Sequence, residues 1–173
     1  VDRGTRLALP SLLSASRLLL VVPFYGALVN AHRAAALLWL LAICLTDALD
    51  GPLARRLGAA TGFGAYLDVT ADFVVVAAGF AALGRIGAFP WWILALIGVM
   101  FAQFLLSSTR RRPVYDPVGR YYGGLLFGVL AAALTMPDEG VWRVLALAVA
   151  GVTLASWLSR LLFLRWSSAP PLR

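Results

Sequence analysis

LLWLLAICLTDALDGPLARRLGAATGFGAYLDVTADFVVV, residues 37–76, is two apolar runs with acidic residues set inside them. Asp47 and Asp50 stand at i, i+3 near the end of the first run. Asp68 and Asp72 stand at i, i+4 near the start of the second. On a helix either spacing puts both carboxylates on one face. Gly58–Phe63 offers a short turn between the runs. Two helices joined this way lie antiparallel, so the two pairs return to one level and can turn toward each other.

Outward from this stretch the whole chain has the same character. Of its 173 residues 61% are apolar and only 13% charged, and the mean hydropathy is +0.85. Such a chain has too little polar surface for an ordinary water-soluble domain, and too much apolar surface for disorder. A membrane-crossing helix needs about 20 mostly apolar residues. Six runs qualify, at about Leu9–Val29, Ala34–Leu57, Gly64–Ile86, Pro90–Ser108, Gly119–Met136 and Trp142–Leu164. The first lacks a small-residue cleavage site, so it reads as a span rather than a signal peptide. Period-two alternation is missing, which argues against a barrel. The expected fold is all-α, an integral membrane bundle of six transmembrane helices, with residues 1–173 forming a single domain.

All 15 basic residues are arginine, and the net charge is +7. They sit between apolar runs, so they point to anionic lipid rather than nucleic acid. With six spans both termini share a side. Eleven arginines fall there and three, Arg33, Arg85 and Arg143, on the other, while Arg17 lies inside the first run. The positive-inside rule then places both termini in the cytoplasm. Trp91, Trp92 and Trp142 open runs at the far interface, where amphipathic rings are favoured. Glycines at four-residue spacing, Gly119 with Gly123 and Gly124 with Gly128, suggest close helix packing in the fifth run. The lone Cys44 forms no internal disulfide.

Four half-buried carboxylates repel one another unless cations accompany them. Each costs about 2.5–3.5 kcal/mol to place in apolar surroundings on insertion scales. Four formal negative charges match two divalent cations, and oxygen-only ligands suit hard ions such as Mg²⁺ or Mn²⁺. By spacing alone three readings stand: a catalytic metal site, a cation pathway of a divalent-cation transporter, and helix–helix hydrogen bonding. A transporter would carry polar groups through both membrane halves. Residues 34–42 and 76–83 hold no charge and no good ligand.

The full spacing is Asp47-Ala-Leu-Asp50-Gly51-Pro-Leu-Ala54-Arg55, eight residues, Gly64, three residues, Asp68, three residues, Asp72. At every fixed position it resembles the signature of the CDP-alcohol phosphatidyltransferase family, whose members have a six-helix core with a cytosol-facing site and are commonly homodimers. The resemblance implies an enzyme of phospholipid biosynthesis. Its donor is a CDP-linked lipid, usually CDP-diacylglycerol. A hydroxyl of a small polar alcohol attacks the phosphorus bearing the lipid, and CMP leaves. It implies two divalent ions, Mg²⁺ or Mn²⁺, held by Asp47, Asp50, Asp68 and Asp72. Asp72 is also implied as the general base, which needs reach to the acceptor hydroxyl. Asp50, Gly51, Ala54, Arg55, Thr61 and Gly64 are implied at the nucleotide: small residues let it lie close, and the arginine fork clamps phosphate. Pro52 removes one helix hydrogen bond and is expected to kink the second helix after Leu49.

The opening Leu9-Pro-Ser-Leu-Leu-Ser-Ala-Ser-Arg17 is similar to that of bacterial phosphatidylglycerophosphate synthases, as is residues 63–73. Val69 and Phe73 depart from that group, which usually carries Pro and Lys there. A phosphorylated acceptor such as glycerol-3-phosphate needs fixed cations. Arg120, Arg160, Arg110 and Arg17 are the candidates, although the triplet Arg110–Arg112 also suits a topology anchor. An inositol phosphate acceptor fits these cations as well as glycerol-3-phosphate does.

Overall fold

A computed structural model describes the backbone of residues 3–56, 62–107 and 119–167, and the side chains of residues 16–49, 64, 66–106 and 121–159. Among these residues the chain is all-α. Its six helices are α1 (Arg3–Val29), α2 (Arg33–Arg56), α3 (Gly62–Arg85), α4 (Trp92–Ser107), α5 (Gly119–Thr135) and α6 (Glu139–Ser167). Each covers one of the six apolar runs. Two contain described stretches long and apolar enough to cross a membrane, Tyr66–Arg85 in α3 and Glu139–Ser159 in α6.

Helix limits follow cap chemistry rather than hydropathy. α1 ends in a paired-bond cap: Ala31 N–H donates to Leu28 C=O at 3.0 Å and His32 N–H to Ala27 C=O at 2.9 Å. This is the Schellman arrangement, which requires a left-handed residue. Ala31 takes that conformation (φ 58°), at a cost of about 1–2 kcal/mol for a residue with a Cβ. α3 ends the same way around Gly87 (φ 78°), with Gly87 bonded to Gly84 and Ala88 to Leu83; glycine carries no such penalty there. α6 starts three residues before its apolar run because Asp138 caps it. The Asp138 Oδ1 accepts from Val141 N–H at 3.1 Å, which satisfies one of the open donors of the first turn. Trp142 then donates its indole N–H to Ala133 C=O at 3.1 Å, tying α6 back to α5.

α3 is in contact with α1, α4 and α5, and α5 with α2, α3 and α6. α1 packs closely on α2 and α3, and α6 lies against α4 and α5. The end of the bundle that holds the α1–α2, α3–α4 and α5–α6 turns is the turn end, and its core includes Phe24, Ile43, Leu83, Ile93 and Leu130, each all but fully buried. Phe80 meets Phe89 edge to face at 5.4 Å between ring centres, the orientation the ring quadrupoles favour.

The close approach expected at the α5 glycines lies elsewhere. A Cβ at Gly123, Gly124 or Gly128 would meet nothing within 4 Å. The tight contact is at Gly79 of α3, where a Cβ would sit 2.8 Å from Leu130 and 3.3 Å from Phe24. Gly84 accommodates the Trp91 ring in the same manner, at 3.3 Å. A helix spacing of glycines marks where backbones can approach; which ones do depends on the bulk of the neighbours.

Candidate active site: a carboxylate cluster around a buried arginine

Asp47 lies toward the end of α2, and Asp68 and Asp72 lie in the first half of α3. Because the two helices run antiparallel through a short connection, the three carboxylates meet at one level. One ligand oxygen from each lies within 4.8 Å of the others. Their side chains are 43%, 41% and 29% exposed, so the cluster opens on one side.

On its closed side stands Arg17 of α1, whose side chain is completely buried. One terminal nitrogen, Nη1, donates to Asp47 Oδ1 at 2.8 Å and to Asp72 Oδ1 at 2.5 Å. The other, Nη2, donates to Asp68 Oδ1. The planar fork reaches carboxylates on two helices at once, in a fixed geometry that the flexible ammonium of a lysine lacks. Three carboxylates and one guanidinium leave two formal negative charges, the charge of one divalent cation. The donor set fits hard ions: it is all carboxylate oxygen, and it already gathers around a cationic group.

The open side of the cluster leads into a cavity of about 330 Å³ between α3, α4 and α5, within the range of small-molecule sites. Asp47, Asp68 and Asp72 line one part of it. Its remaining wall is apolar and includes Val76, Ile97, Met100, Phe104, Leu126 and Phe127. Phe73 stacks on Phe101 with ring centres 3.9 Å apart. Gly123 and Gly124 also line the cavity, so the glycines of α5 leave room there rather than close a helix contact. Val69 and Phe73, two of the departures from the phosphatidylglycerophosphate synthase pattern, are both on the cavity wall.

Of the residues expected at the site, Asp47, Asp68 and Asp72 are brought together, and Gly64 lies in the first turn of α3. Arg17, expected at the acceptor, is bonded to the aspartates. The side chains of Asp50, Gly51, Ala54, Arg55, Arg120 and Arg160, and all of Thr61 and Arg110, lie outside the described residues. α2 continues past Pro52 to Arg56. The sequence did hold a signal for the place of Arg17. An arginine inside an apolar run needs an opposite charge at its own depth, and the aspartates of residues 47–72 are the acidic residues set inside apolar runs. The aromatic wall from α4 carried no such signal, because Phe101 and Phe104 look like any other core residue of an apolar helix.

Comparison with known proteins adds to this geometry. A probable phosphatidylglycerophosphate synthase of Mycobacterium tuberculosis is 40% identical over 82 residues, covering 45% of this chain and 38% of that protein. The CDP-diacylglycerol–glycerol-3-phosphate 3-phosphatidyltransferase of Wigglesworthia glossinidia brevipalpis is 34% identical over 109 residues, covering 61% of this chain and 59% of that one. The Escherichia coli K12 protein of the same name is 36% identical over 107 residues, or 60% and 58% of the two chains. The similarity thus spans between two fifths and three fifths of these relatives' lengths. The sequence profile described as CDP-alcohol phosphatidyltransferase matches residues 7–159, a segment that holds Arg17 and all four aspartates. With nearly the whole chain inside that match and three of the signature carboxylates converging in space, the chain belongs to the CDP-alcohol phosphatidyltransferase family.

Proposed function

We propose that the protein transfers a phosphatidyl group from CDP-diacylglycerol to the hydroxyl of a small phosphorylated alcohol, glycerol-3-phosphate, and releases CMP. The observation that carries this reading is the convergence of Asp47, Asp68 and Asp72 around Arg17, a carboxylate cluster with the donor set for hard divalent ions at the edge of an apolar cavity. A lipid linked to a diphosphate matches both parts once divalent ions sit on the carboxylates: the ions take the diphosphate and the apolar wall takes the lipid. The names of the relatives support glycerol-3-phosphate as the acceptor, and an inositol phosphate is the second choice. The buried apolar core beyond the aspartates, around Phe24 and Leu83, speaks against a divalent-cation transporter.

Asp47, Asp50, Asp68 and Asp72 are the residues we assign to two divalent ions, Mg²⁺ or Mn²⁺. When bound, such ions neutralise diphosphate oxygens and stabilise the leaving phosphate. The acceptor oxygen forms a bond to the phosphorus that bears the diacylglycerol. The bond from that phosphorus to the CMP oxygen breaks, and Asp72 takes the hydroxyl proton. Asp50, Gly51, Ala54, Arg55, Thr61 and Gly64 hold the nucleotide in this reading, and Arg110, Arg120 and Arg160 the acceptor phosphate. The protein is a single domain of six membrane spans with its site and both termini in the cytoplasm, supported by the two long apolar stretches of α3 and α6 and by the arginine distribution. We also propose a homodimer, for which the exposed, open backbone at Gly128 of α5 leaves room.

The test is to offer radiolabelled CDP-diacylglycerol with a panel of alcohols and identify the lipid formed. Glycerol-3-phosphate should yield phosphatidylglycerol phosphate and CMP. Excess chelator should stop the reaction, and Mg²⁺ or Mn²⁺ should restore it. Absence of a lipid product with every alcohol, or full turnover in chelator, overturns the reading.

A further inference from the structure

Arg17 is a charged side chain with no exposure at all. A guanidinium stripped of water is retained only where its charge is compensated and its donors are used. Here the compensation comes from three carboxylates on two other helices, so one side chain of α1 pins α2 and α3 at a single point. It does so through one oxygen of each carboxylate, in a group whose ligand oxygens lie within 4.8 Å of one another, close enough for one divalent ion. Two cations on one set of carboxylates repel and compete for their oxygens. Each oxygen given to a metal is therefore weakened as a partner of Arg17, and each bond to Arg17 weakens the site for metal.

We propose that Arg17 is the built-in placeholder of the carboxylate cluster: it holds Asp47, Asp68 and Asp72 together before divalent ions arrive, and it competes with those ions for the carboxylate oxygens. The inference rests on the reading of the aspartates as metal ligands. Two consequences follow from reciprocity between competing ligands. Arg17 lowers the affinity for metal, and metal lowers the contribution of Arg17 to folding. An arginine present only as a structural anchor would do neither.

The experiment uses the full chain purified in detergent. Mn²⁺ binding is read from the paramagnetic resonance signal of free Mn²⁺, and stability from thermal unfolding with and without Mn²⁺. Arg17→Gln should bind Mn²⁺ about 5–150-fold more tightly than wild type, the usual span of such couplings. It should unfold at a lower temperature without metal and recover most of that loss at saturating Mn²⁺. Unchanged or weaker Mn²⁺ binding, or an unfolding deficit that Mn²⁺ leaves intact, overturns the proposal. Should Arg17→Gln yield no folded protein, Arg17→Lys decides. A lysine keeps the charge but lacks the fixed planar fork, so Mn²⁺ should bind more tightly than to wild type, by a smaller factor. Equal or weaker binding overturns the proposal there too. Asp68→Asn separates the two layers of the argument. If wild-type Mn²⁺ binding does not depend on Asp68, the metal assignment itself fails and takes the inference with it. If binding depends on Asp68 and not on Arg17, the inference alone fails.

Discussion

The two ends of the bundle solve opposite problems. At the turn end, Phe24, Leu83, Ile93 and Leu130 fill the space between helices without a charge, and Gly79 lets Leu130 come within contact of the α3 backbone. Shape holds that end together. At the other end Arg17, Asp47, Asp68 and Asp72 meet, and the helices part to leave a cavity. Charge compensation holds that end together. The difference teaches where loss of a group will be felt. At the turn end a change of volume acts on folding. At the charged end the remaining partners share the load, so a conservative change acts mainly on chemistry.

The sharpest way to break this contrast is Asp72→Asn. It keeps the side chain's volume, and Arg17 keeps Asp47 and Asp68. CMP release should fall by about 10²–10⁴-fold, the usual loss for a general base, with little change in thermal unfolding. A rate near wild type would remove Asp72 from the chemistry. A collapse in stability would show that the charged end is as intolerant as the turn end.

Gly79→Val probes the opposite end. Its new side chain meets the δ-methyl groups of Leu130 and the ring of Phe24, both fully buried. Overpacking of this kind costs about 1–3 kcal/mol, read from denaturation in detergent, while the folded fraction should turn over normally. Adding Leu130→Ala should recover part of the loss. A neutral Gly79→Val would mean that the turn end is not closed by shape.

A smaller effect sharpens the picture at the turn between α5 and α6. Asp138→Ala removes the side-chain oxygen that caps α6 at Val141 and should cost about 1 kcal/mol of stability. CMP release should stay unchanged, because the cap lies at the end remote from the carboxylates. A drop in turnover without a drop in stability would connect the two ends in a way the packing does not show.

Much of this was legible in the residues. Six apolar runs became six helices, because a chain this poor in polar groups must satisfy its backbone internally. The convergence of Asp47 with Asp68 and Asp72 followed from helical spacing on two runs joined by a short turn. The limits of α6 were harder: Asp138 and Glu139 interrupt the apolar pattern, so the run begins later than the helix it belongs to. Within the chain, the glycines of α5 are a related case. Their spacing permits a close contact, but contact needs a partner of the right bulk, and Gly123 and Gly124 line the cavity instead.

By itself, then, the sequence determined helix content, the short α2–α3 connection, and the residues whose charge has no place in an apolar run without a partner. These are local or one-dimensional properties, set by composition, periodicity and the short reach of a turn. Only the tertiary structure decided that Arg17 faces the aspartates, that Gly79 rather than Gly128 takes a neighbouring side chain, and that Phe73 stacks on Phe101 beside the carboxylates. Those outcomes depend on the rotation of each helix about its own axis. Packing against several neighbours sets that rotation at once, and no single stretch of chain encodes it.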